Sequence, residues 1–193
     1  KAYFDSGYDI SAMLAALFTS DFFKDESVRF AKVKNPAEMV VGLLRMVGEH
    51  SDEIKPGLFE LSQEPKYMGM DLMNPPTVEG WHTGREWIDS GTLVERINFA
   101  SDFLGNTELP GVQSLVNRLM AQGATLSPQD FVEGCLDLTG PLEVTSDTKS
   151  QLLAHASKEG ELKHGNDSER SDFIRRTGEM FQMIAATAEF QFG

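Results

Sequence analysis

The sequence predicts an all-α fold: an irregular bundle of about seven helices with a long Pro/Gly/Trp loop packed across it. Three observations predict this fold. Apolar residues recur at three- and four-residue spacing along most of the chain. Capping residues, in two places followed by a proline at the first helical position, mark helix starts. No run of alternating β-branched residues is long enough to indicate a sheet.

The first predicted helix follows Asp9, whose carboxylate is a good N-cap. Its apolar side chains share one face of the helix and are Ile10, Met13, Leu14, Leu17 and Phe18. We expect this face to lie in the core. The helix is predicted to end within residues 19–23.

The second helix is predicted from Asn35, Pro36 and Glu38, which combine an N-cap, a first-turn proline and an acid three residues after the cap. It is predicted to run over residues 36–48. Its inner face is predicted to consist of Val40, Leu43, Leu44 and Val47, with Met39 and Met46 at the flanks.

A chain break is predicted at Lys55, Pro56 and Gly57, followed by a helix over residues 58–73. Pro65 leaves open an interruption of that helix, because its ring disfavours helical backbone in the preceding residue.

The loop over residues 74–87 carries both tryptophans of the chain. Two prolines stiffen its start, and Gly80 and Gly84 permit tight turns. Ser90 is predicted to cap the next helix. The apolar stripe of that helix is Leu93, Ile97, Ala100 and Leu104, and Gly105 with Asn106 ends it.

The second half is predicted to form four further helices over residues 112–122, 128–138, 147–158 and 168–189. Ser127 caps the second of these ahead of a first-turn proline. Residues 160–167 are predicted to form an exposed loop. Residues 1–105 form the helical core with the loop and residues 106–193 a second helical part packed on it, most simply within a single domain.

The formal net charge of −13 argues against nucleic-acid binding, because the phosphate backbone would be repelled. No apolar run approaches the ~20 residues that span a bilayer, so direct membrane insertion is not predicted. The charge favours neutral, cationic or apolar partners.

The sequence carries no recognisable catalytic, metal or cofactor motif. The only cysteine, Cys135, is expected to be buried and excludes an intramolecular disulfide. The four histidines lie on separate elements without metal-ligand spacing: His50, His82, His155 and His164. No nucleophile elbow and no phosphate-binding glycine pattern is present. We therefore assign no catalytic residue, no metal ligand and no cofactor.

The loop allows two interpretations. In one, Trp81 and Trp87 pack onto the helices and Arg85 pairs with a local acid. In the other, the three side chains form a platform for a sugar ring or a partner peptide. The first is favoured, and the three residues remain candidate binding residues. Gly80, Gly84, Ser90 and Asn98 are assigned to structural support of the loop, and Arg85 and Asn98 are expected to satisfy its carbonyls or caps.

Three ordered segments resemble a known family: residues 34–42, residues 75–88 with both tryptophans, and residues 93–100. In order and spacing they are similar to the C-terminal part of the bacterial "domain of unknown function 1800" family. The end of the first helix, residues 17–22, and Glu189-Phe190-Gln191 also resemble that family. His82 and Thr83 depart from it, because proline and glycine more often follow the tryptophan there.

The resemblance implies a long, exported bacterial protein of which this chain is the C-terminal portion, located in the periplasm, at the cell surface or outside the cell. No catalytic residue can be transferred from the family. The leading hypothesis is a non-enzymatic binding or assembly module, whose partner is another protein or the N-terminal part of the same protein. The alternatives are part of a hydrolase whose active site needs that N-terminal part, and a purely structural domain. The oligomeric state is left open.

Overall fold

The computed structural model describes residues 1–49, 57–140 and 142–192. It confirms the all-α fold, with ten α-helices in these ranges. Two of them, α1 and α3, have four residues each and are too short for a periodic pattern to reveal them. The predicted break at Lys55 and Pro56 lies outside the described residues. The helices are α1 Ala2–Asp5, α2 Ile10–Phe18, α3 Asp21–Lys24, α4 Pro36–Met46, α5 Leu58–Tyr67, α6 Ser90–Gly105, α7 Pro110–Met120, α8 Pro128–Leu138, α9 Ser146–Ser157 and α10 Asp167–Ala185.

Helix starts follow the predicted capping chemistry. Asn35 accepts a hydrogen bond from the backbone N–H of Glu38, and the Glu38 carboxylate accepts one from the backbone of Asn35, both at 2.9 Å. Ser127 likewise accepts from the backbone N–H of Asp130 at 3.2 Å. The predicted caps of α4 and α8 are therefore confirmed.

The prediction that Ser90 caps α6 is wrong by one residue. The N-cap is Asp89, whose carboxylate accepts from the N–H groups of Gly91 and Thr92 at 2.8 and 2.9 Å. A carboxylate that accepts two backbone donors at a helix N-terminus is a stronger cap than a hydroxyl. Ser90 is instead the first residue of the helix.

Helix α5 ends at Tyr67, short of the predicted residue 73, and Pro65 lies inside it. Gly69 adopts a positive φ of 95° just after the end, which a right-handed helix cannot continue.

Two short strands pair in the region that was predicted to lack them. Strand β1 (Thr125–Leu126) is antiparallel to β2 (Leu162–Lys163). Leu162 is buried, so residues 160–167 are not a simple exposed loop. A two-residue strand has no alternation for sequence reasoning to detect.

A continuous hydrophobic cluster joins both halves of the chain. Helix α6, from the first half, packs along α10, from the second. The predicted inner face of α4 enters this cluster through Val40, Leu43 and Val47, while Leu44 is partly buried at its edge. The cluster places the loop before α6 beside the end of the chain after α10.

The expectation that the apolar face of α2 lies in the core is wrong. None of the residues of α1, α2 or α3 is buried. The five predicted core side chains of α2 are all exposed. Periodicity identifies an apolar face, but burial also requires an element that covers it, and none does so in the described structure.

Candidate functional site

The loop between α5 and α6 has two structurally different halves. In the first, residues 72–79 are all exposed, with Val78 at the tip fully accessible. The tip is a tight turn in which Gly80 donates its N–H to the Thr77 carbonyl at 3.1 Å and adopts a φ of 101°. Gly80 therefore has the turn role that the sequence predicts.

The second half of the loop is attached to the helices through its tryptophans. Trp87 is 5% exposed, and its carbonyl accepts a hydrogen bond from the Thr92 hydroxyl at 3.0 Å. Trp81 is half-buried and donates its indole N–H to the Asp71 carbonyl at 3.1 Å. Trp87 is thus buried, as the packing interpretation expects, whereas Trp81 is only partly buried.

A short 3-10 turn, Gly84–Trp87, positions the polar side chains of this half. It begins at Gly84, whose φ is 59°. The Glu86 carboxylate accepts from the backbone N–H of Thr83 at 3.3 Å and lies 3.4 Å from Nδ1 of His82. Glu86 is therefore engaged with the backbone of Thr83 and with His82, and not with its neighbour Arg85.

The expectation that Arg85 and Asn98 satisfy loop carbonyls is wrong. Both residues are exposed, and neither side chain has a hydrogen-bond or ion-pair partner among the described residues. Residues 72–79 are exposed, so water can satisfy backbone carbonyls that have no protein donor. The expected pairing of Arg85 with a local acid is also absent from the described structure.

Arg85 lies instead at the rim of a groove of about 360 Å³. One wall comes from the loop end and the half-buried part of α6, and the other from the residues after α10. The groove is lined by Ile88, Leu93 and Ile97 on the first side and by Ala186, Thr187, Ala188, Gln191 and Phe192 on the second. The volume is near the lower end of ligand pockets, and most of the lining side chains are apolar.

A buried cation lies behind the groove. Gln191, which is 1% exposed, accepts a hydrogen bond from Nε of Arg96 at 2.8 Å. Arg96 is fully buried on α6, and its Nη2 donates to the Lys34 carbonyl at 2.7 Å. Its Nη1 has no hydrogen-bond partner, and no carboxylate pairs with it in the described ranges. Burial lowers the pKa of Arg96, since the charged form loses its hydration.

Lys34 adds a second partly buried charge to this cluster. Its Nζ donates to the Phe190 carbonyl at 2.8 Å and lies 4.7 Å from the centre of the Phe190 ring. Burial, and then repulsion by Arg96, lower the pKa of Lys34. The nearby Glu38 carboxylate is hydrogen-bonded to Lys32 instead. Arg96 and Lys34 are thus two buried or partly buried cations that contact the chain end after α10.

Sequence reasoning identified Arg85 in the loop but missed Arg96, Lys34 and Gln191. A signal for Arg96 was present, because it lies between Leu93 and Ile97 on the apolar side of α6. Nothing in the sequence signals that Gln191, 95 positions away, supplies its acceptor.

Within residues 1–49, 57–140 and 142–192, no group of three or more His, Cys, Asp or Glu side chains could hold a metal ion. No described histidine is hydrogen-bonded to a serine, threonine or cysteine side chain. Cys135 is buried as expected, and burial raises the pKa of its thiol. None of the described helices is long and apolar enough to cross a membrane.

The fold and the groove define a helical protein with a mainly apolar groove between the end of the tryptophan loop and the chain end after α10. Arg85 is the cation that lines this groove. The chain matches a family model described as "Protein of unknown function (DUF1800)" over residues 1–192, and it therefore belongs to this family. No curated protein and no solved structure matches the chain.

Proposed function

We propose that this chain is a non-enzymatic binding module whose groove holds the apolar C-terminal segment of another polypeptide. An apolar side chain would enter the groove and the terminal carboxylate would pair with Arg85. The observation that carries the proposal is the unpaired guanidinium at the rim of an apolar groove. The loop residues Trp81 and Trp87 would then hold the wall that carries Arg85, rather than touch the ligand.

Charge complementarity supports a carboxylate ligand. In a chain with a net charge of −13, Arg85 has no carboxylate partner among the described residues, although acids are abundant. Arg96, which is hydrogen-bonded to the groove-lining Gln191, adds a second positive charge next to the groove. A guanidinium can hold a carboxylate through two parallel hydrogen bonds, which is a strong and directional contact.

The size of the groove supports a polypeptide end rather than a large organic ligand. A volume of about 360 Å³ accommodates one or two side chains, so most of such a partner would lie outside it. Buried Gln191 lines the groove. A chain terminus suits a small groove because the rest of the polypeptide has to leave in only one direction.

The proposal can be tested by titrating the ¹⁵N-labelled protein with N-acetyl-Leu-Leu and with its C-terminal amide, following backbone amide shifts. Only the free acid should shift the amides of Ile88, Leu93 and Ala188 at low millimolar concentration. Arg85→Gln should weaken binding roughly twofold to fivefold, as expected for one solvent-exposed charge pair. Arg118→Gln is the matched control, because Arg118 is also exposed and unpaired in the described structure but lies outside the groove.

Equal binding of the acid and the amide, or equal losses with Arg85→Gln and Arg118→Gln, would overturn the proposal. N-acetyl-Leu-Glu-amide carries its carboxylate on a side chain, so tighter binding of this peptide would overturn the C-terminal assignment. Release of free leucine during the titration would favour the hydrolase alternative instead.

We also propose, on the family resemblance alone, that the module belongs to an exported or cell-surface bacterial protein. Immunodetection in fractions of the native cells should place it in the periplasm, at the surface or in the medium. A purely cytoplasmic pool would contradict this part of the proposal.

A further inference from the structure

A second groove lies next to the first groove, which Arg85 lines. Its volume is about 370 Å³. The two grooves share Ala186, Thr187 and Ala188, the residues that follow α10. The other residues that line the second groove are Thr148, Gln151 and Leu152 of α9 and Met183 of α10. The segment after α10 is therefore a wall of both grooves.

This shared wall is held in place by hydrogen bonds on both sides. Toward the second groove, the Glu189 carboxylate accepts from the backbone N–H of Thr145 and from the hydroxyl of Thr148, both at 2.9 Å. Toward the first groove, Gln191 accepts from Arg96. A wall that is fixed before a ligand arrives loses less conformational entropy on binding.

The top of the shared wall carries small side chains. Ala186 and Ala188 are exposed, and the Thr187 hydroxyl is bonded within the segment, to the Ile184 carbonyl at 2.7 Å. An extended polypeptide can therefore pass closely over the wall. Arg85 belongs to the opposite wall of the first groove, so a ligand whose terminal carboxylate pairs with Arg85 extends toward the shared wall.

The geometry of an extended chain relates the two grooves to particular ligand positions. Alternate side chains of such a chain point to the same side and lie roughly 7 Å apart. A ligand whose last side chain enters the first groove thus presents the side chain two positions earlier to the second groove. The side chain between them points away from the protein.

The charges next to the second groove are opposite in sign to the charge of Arg85. Two of its lining side chains donate hydrogen bonds to carboxylates: Gln151 to Asp147 and Thr148 to Glu189, both at 2.9 Å. Neither carboxylate forms an ion pair with a described basic side chain. These two fixed acids favour a positively charged group in the second groove.

The lining of the second groove suits a long basic side chain. Leu152, which is 2% exposed, and Met183 supply apolar contact for an aliphatic stem. None of the residues that line the groove in the described structure is basic. Lys149, which follows Thr148 in the sequence, is paired with Glu133 on α8 at 2.9 Å.

We propose that the polypeptide held by the two grooves carries a basic residue two positions before an apolar C-terminal residue. The terminal carboxylate pairs with Arg85, and the last side chain enters the first groove. The stem of the basic side chain lies along Leu152, with its charged end next to Asp147 and Glu189. This inference rests on the proposed function and adds a sequence requirement to it.

Three free-acid peptides test the requirement, with affinities measured from backbone amide shifts of the ¹⁵N-labelled protein. They are N-acetyl-Lys-Ala-Leu, its isomer N-acetyl-Ala-Lys-Leu and N-acetyl-norleucine-Ala-Leu. The first should bind roughly twofold to fivefold more tightly than either of the others, as expected for exposed charge pairs. The isomer has the same net charge, so general attraction to an acidic chain does not separate the two. Norleucine keeps the stem of lysine without its charge.

The double variant Asp147→Asn, Glu189→Gln should abolish the difference between the two lysine isomers. The glutamine amide oxygen can still accept the hydrogen bonds that Glu189 accepts, so the shared wall should stay in place. The matched control is Asp102→Asn with Glu108→Gln, because both residues are exposed and lie outside both grooves. It should leave the difference unchanged. Arg85→Gln should weaken both isomers by the same factor, because both carry the terminal carboxylate.

Equal affinity of the two lysine isomers would overturn this inference. The proposed function would still stand if N-acetyl-Lys-Ala-Leu binds more tightly than its C-terminal amide. Equal binding of that acid and that amide would overturn both proposals, because the carboxylate would not be recognised. A difference between the isomers that persists in the Asp147/Glu189 variant would assign the preference for lysine to other residues and overturn the role of the second groove.

Discussion

Nε of Arg96 lies 2.8 Å from the side-chain oxygen of Gln191, a contact between residues 95 positions apart in the chain. It joins the middle of α6 to the chain end that follows α10, and Nη2 of Arg96 extends the link to the segment before α4. Because Gln191 also lines the groove, this hydrogen bond holds the two walls of the proposed binding site together.

The first prediction concerns the strength of this contact. A hydrogen bond to a buried charged group contributes about 1.5–3 kcal/mol, because the charge has already lost its hydration. A double-mutant cycle with Arg96→Met and Gln191→Leu should therefore give a coupling energy of about 1–3 kcal/mol, measured by urea denaturation.

The comparison is an exposed pair in the same protein. Gln129 donates to Glu133 at 3.2 Å on the surface of α8, and a cycle with alanine at both positions should give less than about 0.5 kcal/mol. If the coupling energy of Arg96 and Gln191 is as small as that of the exposed pair, water reaches the guanidinium and the contact does not hold the two groove walls together.

The second prediction separates the two tryptophans. Trp87 is 5% exposed, so Trp87→Ala should destabilise the fold by about 3–5 kcal/mol. Trp81 is half-buried and donates one hydrogen bond, so Trp81→Ala should cost roughly 1–2 kcal/mol. The free energy of unfolding is measured with urea for each variant. A larger loss at Trp81 would mean that the first half of the loop is packed in solution.

Local chemistry explains which parts of the fold were predictable from the sequence. The capping box joins Asn35 and Glu38, which are three residues apart, so it forms without any tertiary contact and can be predicted from the local sequence. The apolar face of α2 was recognised correctly but its burial was not. Burial depends on which element lies opposite, and a periodic pattern carries no information about that.

The candidate site was predictable only in part, for the same reason. Arg85 was identified because it lies between two tryptophans in a distinctive loop. The groove itself forms where Leu93 and Ile97 of α6 face Ala188 after α10, which is a tertiary contact. Arg96 was overlooked because an arginine within an apolar stripe usually extends its charge to water, whereas here backbone and amide acceptors retain it inside.

The third prediction tests the contact between α7 and the end of α4. A Cβ on Gly111 would lie 2.3 Å from the Met46 carbonyl oxygen and 2.4 Å from the carbonyl carbon of Val47. These are backbone atoms that cannot move aside, so Gly111→Ala should cost at least about 2 kcal/mol. Gly111 also donates its N–H to the Val47 carbonyl at 2.9 Å, and the shift would disturb that bond.

Gly42→Ala is the matched substitution on α4, where an added Cβ meets nothing within 4 Å. It should stabilise the protein by about 0.5–1 kcal/mol, because alanine restricts the unfolded chain without strain in the helix. Thermal or urea unfolding of both variants measures whether each substitution raises or lowers the free energy of unfolding. If Gly111→Ala leaves the free energy of unfolding unchanged, Gly111 lies further from the Met46 carbonyl oxygen than the 2.3 Å Cβ distance implies.

The last prediction concerns acid stability at the start of α4. A hydrogen bond from Lys32 lowers the pKa of the Glu38 carboxyl, and the backbone N–H of Asn35 contributes in the same direction. A carboxyl group with a lowered pKa in the folded state stabilises the fold above its unfolded pKa of about 4.3, and this contribution is lost as the pH falls through the folded value. The free energy of unfolding should therefore decrease below pH ~4 more steeply in the native protein than in Glu38→Gln. Because Glu38 is largely exposed, the difference should be a few tenths to about 1 kcal/mol.

The matched control is Glu79→Gln. Glu79 lies at an exposed loop position and its side chain has no partner in the described structure, so this substitution should leave the acid dependence of stability unchanged. If the free energy of unfolding falls equally steeply with pH in the native protein and in Glu38→Gln, the capping contacts do not stabilise the charged form of Glu38 in solution.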